Sequence, residues 1–249
     1  MTETSSEPSL QKTVYLIRHA ESEENRRIAS LGSIGSSLTR FSLPKSSDVW
    51  ASVELLNVSA QVDSSVSSIG KQQIENVAQQ LKQANFLEQA KVKLVAHSPL
   101  QRAQDTCYGL LGCRAAADDN DTTSDDNPPG IRVVSLDVIR EKTPAEWLPG
   151  NAAGLRKRLT EFERWLPAQP ESVIVIVGHS QFFKNLLNLT YKFGNCDVYK
   201  LHFDANLMKE GDDARTSLPP KDTLPPQWSD LERVFQCNLG SDDTVENGT

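Results

Sequence analysis

Apolar residues along this chain fall into two rhythms. Short apolar runs rich in Val, Ile and Leu occupy 14–17, 92–96, 132–136, 173–177 and 198–203, and each predicts a strand. Between most of them the apolar residues recur at helical spacing. Ile74, Val77, Ala78, Leu81, Ala84 and Leu87 form one stripe, and Leu155, Leu159, Phe162 and Leu166 form another. Each stripe predicts a helix with one buried face. Ser98-Pro99 reads as an N-cap followed by proline at the first helical position, opening a helix at Leu100. Strands alternating with helices predict an α/β fold layered about a mostly parallel sheet, with a last strand at 230–237.

Two stretches break the rhythm. Residues 26–69 are serine-rich with scattered apolar positions and read as a long insertion folded over the surface. Residues 115–130, "AAADDNDTTSDDNPPG", are acidic and poor in apolar residues, the composition of a disordered loop. Neither resembles a domain boundary, and a chain of 249 residues can bury one substantial core. The expectation is a single domain over 13–239 carrying both insertions, between polar tails at 1–12 and 240–249.

The net charge of −7 argues against a general nucleic-acid or membrane-surface binder, which would show a basic footprint. An anionic ligand therefore has to be captured by a local group of arginines. The four cysteines lie far apart with no C-x-x-C pair, and there is no apolar run of membrane length and no signal-peptide pattern. These features read as reduced thiols in a cytoplasmic protein.

Chemistry gathers at the strand ends. The run at 14–17 leads straight into Arg18-His19, with Ser22 and Asn25 in the turn that follows. The run at 92–96 leads to Ser98 and then Arg102, and the run at 173–177 to Gly178-His179. Glu141 stands just past the third strand. In an open α/β sheet ligands bind at the carboxyl ends of the strands, so these groups are placed to converge. Together they suit a phosphate monoester. Two guanidinium groups grip phosphoryl oxygens in bidentate fashion, and helix N-termini add N–H donors. One neutral imidazole can attack phosphorus while a second steadies the equatorial oxygens, and a carboxylic acid can protonate the departing alkoxide. The arrangement calls for no metal and no cofactor.

The same residues resemble the histidine phosphatase superfamily, whose phosphoglycerate mutase branch is the best known. The family's opening Arg-His-Gly-x-Ser-x-x-Asn is matched by Arg18-His19-Ala20-Glu21-Ser22-Glu23-Glu24-Asn25. "VSSIGKQQI" at 66–74 is similar to its next motif, and "SPLQRAQDT" at 98–106 carries its Ser-Pro-Leu-x-Arg-Ala-x-x-Thr intact. Glu141, Gly178-His179 and "NCDVYKL" at 195–201 follow in the family's order. The resemblance implies a three-layer α/β sandwich of the phosphoglycerate mutase type. It implies that His19 is phosphorylated, that Arg18, Arg102 and His179 hold the phosphoryl group, and that Glu141 is the proton donor. Ser22 and Asn25 would be supporting phosphate ligands.

Ala20 departs from the family's glycine, and the Cβ it adds to the backbone near the phosphate is expected to have a modest effect, alanine being the smallest possible change. Arg26 and Arg27 are surface charges by default, with leaning toward an anionic substrate as the alternative. His97 and Trp147 are each read as pocket-lining or simply packed, Arg140 and Lys142 as solvated, and Glu146 as the substitute acid.

The expected substrate is a small phosphorylated metabolite or a phosphoprotein. Glu141 and His179 lie only 38 positions apart, which leaves little length for the cover a mutase needs and favours a hydrolase. The alternatives are a mutase-type phosphoryl transferase and a phosphatase-like domain used for partner binding. An α/β-hydrolase elbow at "GHSQF", with Ser180 as nucleophile, would need His202 as its base, and Phe182 stands where that turn requires glycine.

Overall fold

The structure is a computed structural model and describes residues 10–23, 63–115, 127–141, 153–208, 215 and 218–239. Six strands form one sheet: β1 (Gln11–Arg18), β2 (Leu94–His97), β3 (Arg132–Ser135), β4 (Val173–Gly178), β5 (Val198–Asp204) and β6 (Trp228–Phe235). Their order is β3-β2-β4-β1-β5-β6. The pairs β3–β2, β2–β4 and β4–β1 are parallel, while β5 and β6 close one side antiparallel. The helices are α1 (Ser68–Gln83), α2 (Phe86–Gln89), α3 (Gln101–Leu111), α4 (Ala153–Trp165) and α5 (Ser180–Leu186).

Side chains on successive strand residues point to opposite faces, so each buried strand feeds two cores. Val14, Leu16, Ile174 and Ile176 meet Leu155, Leu159 and Phe162 of α4 and Phe182, Phe183 and Leu186 of α5. Tyr15, Ile17, Val175 and Val177 meet Val77 and Leu81 of α1 and Ala103, Cys107 and Leu110 of α3. The result is a three-layer α/β sandwich about a mostly parallel sheet: the alternating rhythms predict the α/β class and the parallel sheet, and the resemblance implies the three layers. Among the described residues no helix is long and apolar enough to cross a membrane.

Three differences from the sequence reading have physical causes. The stripe at 74–87 is two helices, because Asn85 takes a left-handed conformation and breaks the ladder between α1 and α2. Strand β1 starts earlier than its apolar run because the buried Lys12 ammonium donates to the carbonyls of Gln169 (2.6 Å) and Glu171 (3.0 Å). Ser98 is not an N-cap. Proline disfavours the α region for the residue before it, the cap of α3 is the extended Leu100, and the helix begins at Gln101.

Two buried arrangements fix the layers. Glu163 on α4 is paired with Arg215 and accepts from Trp228 Nε1 at 2.7 Å and Gln227 Nε2 at 2.8 Å. Arg215 also donates to the carbonyls of Asn185 and Leu186, so one carboxylate ties α4, α5 and β6 together. On the opposite face the N-terminus of α1 clamps the turn after β1. Ser67 caps α1 by accepting from Gly70 N and donates its own hydroxyl to Glu21 Oε1 at 2.8 Å. Gln73, fully buried, accepts from Glu21 N at 2.9 Å. Gly70 is required at this contact, since a Cβ there would lie 2.2 Å from the Glu21 carbonyl oxygen and 2.5 Å from Val66 Cγ1.

Gly70→Ala should therefore lower unfolding stability by about 2 kcal/mol, the scale of overpacking a close contact. The readout is the denaturant midpoint, and an unchanged midpoint would show that α1 and the turn do not rest on each other.

Candidate active site

Parallel register brings the site together. Arg18 pairs with Gly178 and His97 with Val177, so β1, β2 and β4 end at one level, and the next residues are His19, His179 and Ser98. The His19 amide donates to the Gly178 carbonyl at 2.9 Å, and the Ser98 amide to the Val177 carbonyl at 3.0 Å. Beyond β3 a single 3-10 turn, Asp137–Ile139, carries the chain to Glu141. Gly178 lets β4 pass close under α5, because a Cβ there would meet Phe183 Cζ at 2.9 Å.

His19 is buried, and its Nδ1–H donates to the Ala20 carbonyl at 2.6 Å. That bond selects the tautomer in which Nε2 carries the free lone pair. The ring centroid of His179 lies 5.0 Å away. His179 is fully buried with Nε2 2.8 Å from Ser98 Oγ, and its Nδ1 stands 3.9 Å from Glu141 Oε2, too far for a hydrogen bond. The Glu141 side chain is 18% exposed, less buried than either histidine.

Arg18 and Arg102 are both buried beside these rings. Arg18 Nη1 is anchored on the Phe193 carbonyl at 2.6 Å. Burial holds the pKa of His19 well below the ordinary histidine value, and the charges of Arg102 and Arg18 push the same way. Burial does the same to His179, reinforced by His19, Arg102, Arg158 and Arg18. Both rings are therefore neutral near pH 7.

The turn that carries His19 is held from three sides. The Ala20 amide donates to Thr106 Oγ1 at 2.9 Å, which explains the threonine at the end of "SPLQRAQDT". Asn195 Nδ2 donates to the His19 carbonyl at 2.8 Å, and the Cys196 amide to the Arg18 carbonyl at 3.0 Å. Ala20 lies in the apolar cluster with Ile17 and Val66, so its Cβ is accommodated by the core rather than crowding the strand end.

Of the residues singled out in the sequence, Arg18, His19, Ser22, Arg102, Glu141 and His179 are described, and the two histidines and the glutamate stand together. Ser22 is buried in the turn, in an isolated bridge with Val66. Asn25, Arg26, Arg27, Lys142, Glu146, Trp147 and most of the two insertions lie outside the described residues. His97 is buried, with Nδ1 2.9 Å from the Ser98 carbonyl oxygen. Arg140 is an exposed partner of Asp137.

The hydrolase-elbow alternative fails on distance. His202 pairs with Thr13 near the start of β1, while Ser180 follows the far end, roughly 15 Å away at strand rise. Ser98 stands at the strand end where the sequence placed it, while Asn195 and Arg158 also belong to the site and were not assigned to it from sequence. Asn195 and Arg158 each act on a backbone carbonyl distant in the chain, which no local pattern reveals.

His19, Glu141 and His179 each offer one ligand atom, all within 4.8 Å of one another. Two permanent guanidinium charges beside the rings favour an anion over a cation in the same space.

No protein-family model matches the chain, and no curated protein matches it. Among solved structures, a mycobacterial glucosyl-3-phosphoglycerate phosphatase is similar, with a TM-score of 0.46 and 16% identity, covering 90% of this chain and 98% of its own. A phosphoserine phosphatase from Entamoeba histolytica, in complex with 3-phosphoglyceric acid, has a TM-score of 0.46 and 17% identity over 76% and 90%.

Because unfolding returns a histidine to about 6.5, a depressed folded pKa gives stability that is present above that pH. It is lost as pH falls from 6.5 toward the folded value. Wild-type unfolding midpoints should fall between pH 7 and pH 5, and His179→Asn should flatten that slope. An equal slope in both would mean that His179 protonates normally in the fold. In the order of its motifs along the chain, and in the strand ends that carry them, the protein resembles the histidine phosphatase superfamily.

Proposed function

We propose that this protein is a phosphomonoesterase acting through a phosphohistidine at His19. The observation that carries the reading is the His19 ring itself. Its Nδ1–H is held by the Ala20 carbonyl, so a neutral Nε2 is free beside two arginines and a second neutral histidine. A nucleophile of this kind needs no base to activate it, because burial and the neighbouring cations have already removed its proton.

In the proposed reaction Arg18 and Arg102 take the phosphoryl oxygens of a phosphate monoester, and Nε2 of His19 attacks phosphorus in line with the ester oxygen. The N–P bond forms as the P–O bond breaks. His179 donates toward an equatorial oxygen, its ring oriented by Ser98. Glu141, in its protonated form, gives its proton to the leaving alkoxide. The resulting carboxylate then takes a proton from water as that water attacks the phosphohistidine, which returns His19 and releases inorganic phosphate. The substrate is a small phosphorylated metabolite or a phosphoprotein, and no metal takes part.

Release of phosphate from a panel of phosphorylated metabolites and phosphopeptides, with EDTA present, tests the reading. Wild type should turn over at least one compound at a rate insensitive to the chelator, and His19→Ala should abolish it. Arg102→Lys keeps the charge and loses the planar fork, and should lower kcat/KM on the order of a hundredfold. Activity that depends on added metal, or that survives His19→Ala, contradicts the mechanism.

A further inference from the structure

We infer that Arg158 on α4 is a positioning residue for Glu141, a role that rests on the phosphomonoesterase reading above. Glu141 lies beyond the end of β3, after the Asp137–Ile139 turn, where its segment has left the sheet ladder. Backbone carbonyls there need donors from elsewhere. Arg158 supplies them. Its Nη1 donates to the Val138 carbonyl at 3.1 Å and the Arg140 carbonyl at 2.8 Å, and Nη2 reaches the Glu141 carbonyl at 3.4 Å. The planar fork thus grips the backbone on both sides of the turn's exit and at the glutamate itself.

The same guanidinium lies 5.9 Å from the centre of the Phe182 ring on α5, the helix that His179 caps. Arg158 belongs to the helix whose Leu155, Leu159 and Phe162 are packed into the core, so its stem has a rigid base. One side chain therefore joins the acid-bearing segment to the helix of the second histidine. The 3.9 Å separation of Glu141 Oε2 and His179 Nδ1 is measured across that joint. Proton transfer tolerates little displacement, so loosening the joint should act on the step that uses the acid.

The experiment compares wild type with Arg158→Met, Arg158→Lys, Glu141→Gln and the Arg158→Met/Glu141→Gln double variant. Methionine keeps the aliphatic stem and removes every donor. Each protein is assayed on an alkyl phosphate, whose leaving group needs a proton, and on nitrophenyl phosphate, which departs without one. Arg158→Met should lower kcat on the alkyl ester on the order of tenfold or more while changing the aryl ester by less than about threefold. Lysine should restore part of the loss, and the double variant should be no worse than Glu141→Gln alone. Equal losses on both esters, or additive losses in the double variant, would reduce Arg158 to a brace for the fold and overturn the inference.

Amide hydrogen exchange over 139–141 gives a second readout that needs no turnover. Exchange should quicken in Arg158→Met, and unchanged exchange would overturn the inference whatever the kinetics. No turnover of either ester by wild type would instead overturn the phosphomonoesterase reading.

Discussion

The parallel pairing of β1 with β4 is the constraint on which everything else in this molecule depends. It sets Arg18 against Gly178, so the two histidines that follow them leave the sheet side by side. A slip of one residue would turn every side chain of β1 to the opposite face. Val14 and Leu16 would exchange cores with Tyr15 and Ile17, and that cost specifies the register. The placement of the two histidines is thus enforced by core packing, through a strand whose interior residues have no chemistry of their own.

From that register follows a crowded electrostatic arrangement. Two guanidinium groups and two imidazoles share a buried space, and the fold resolves the conflict by keeping both rings unprotonated. The surrounding hydrogen bonds hold the backbone that carries His19. Thr106, Asn195 and Gln73 grip the short turn between β1 and Ser22, and the Cys196 amide grips the last residue of β1, so that His19 is held where the register puts it.

Much of this was legible in the sequence, for physical reasons that can be named. Strands buried on both faces appear as continuous apolar runs, so β1, β2 and β4 were visible, as were the polar residues that end them. Motif glycines and threonines proved to be contact residues: Gly70 admits the Glu21 carbonyl, and Thr106 receives the Ala20 amide. What escaped was long-range bonding to the backbone. Arg158 reads as one of three adjacent cations on a helix, and Asn195 as part of a closing strand, because their acceptors are carbonyls distant in the chain. Ser98 was misread because Ser-Pro before an apolar residue imitates a helix start, whereas its hydroxyl is committed to His179.

The central claim is that His19 Nε2 becomes covalently bound to phosphorus. Its most direct measurement is rapid acid-free quenching of the enzyme with phosphorus-labelled ester, followed by a stability profile of the labelled protein and mapping of the labelled residue. A phosphoramidate at Nε2 of His19 should be lost in acid and persist in alkali, and should not form in His19→Ala. Label that survives acid, or that maps to Ser98 or Ser180, would contradict the account.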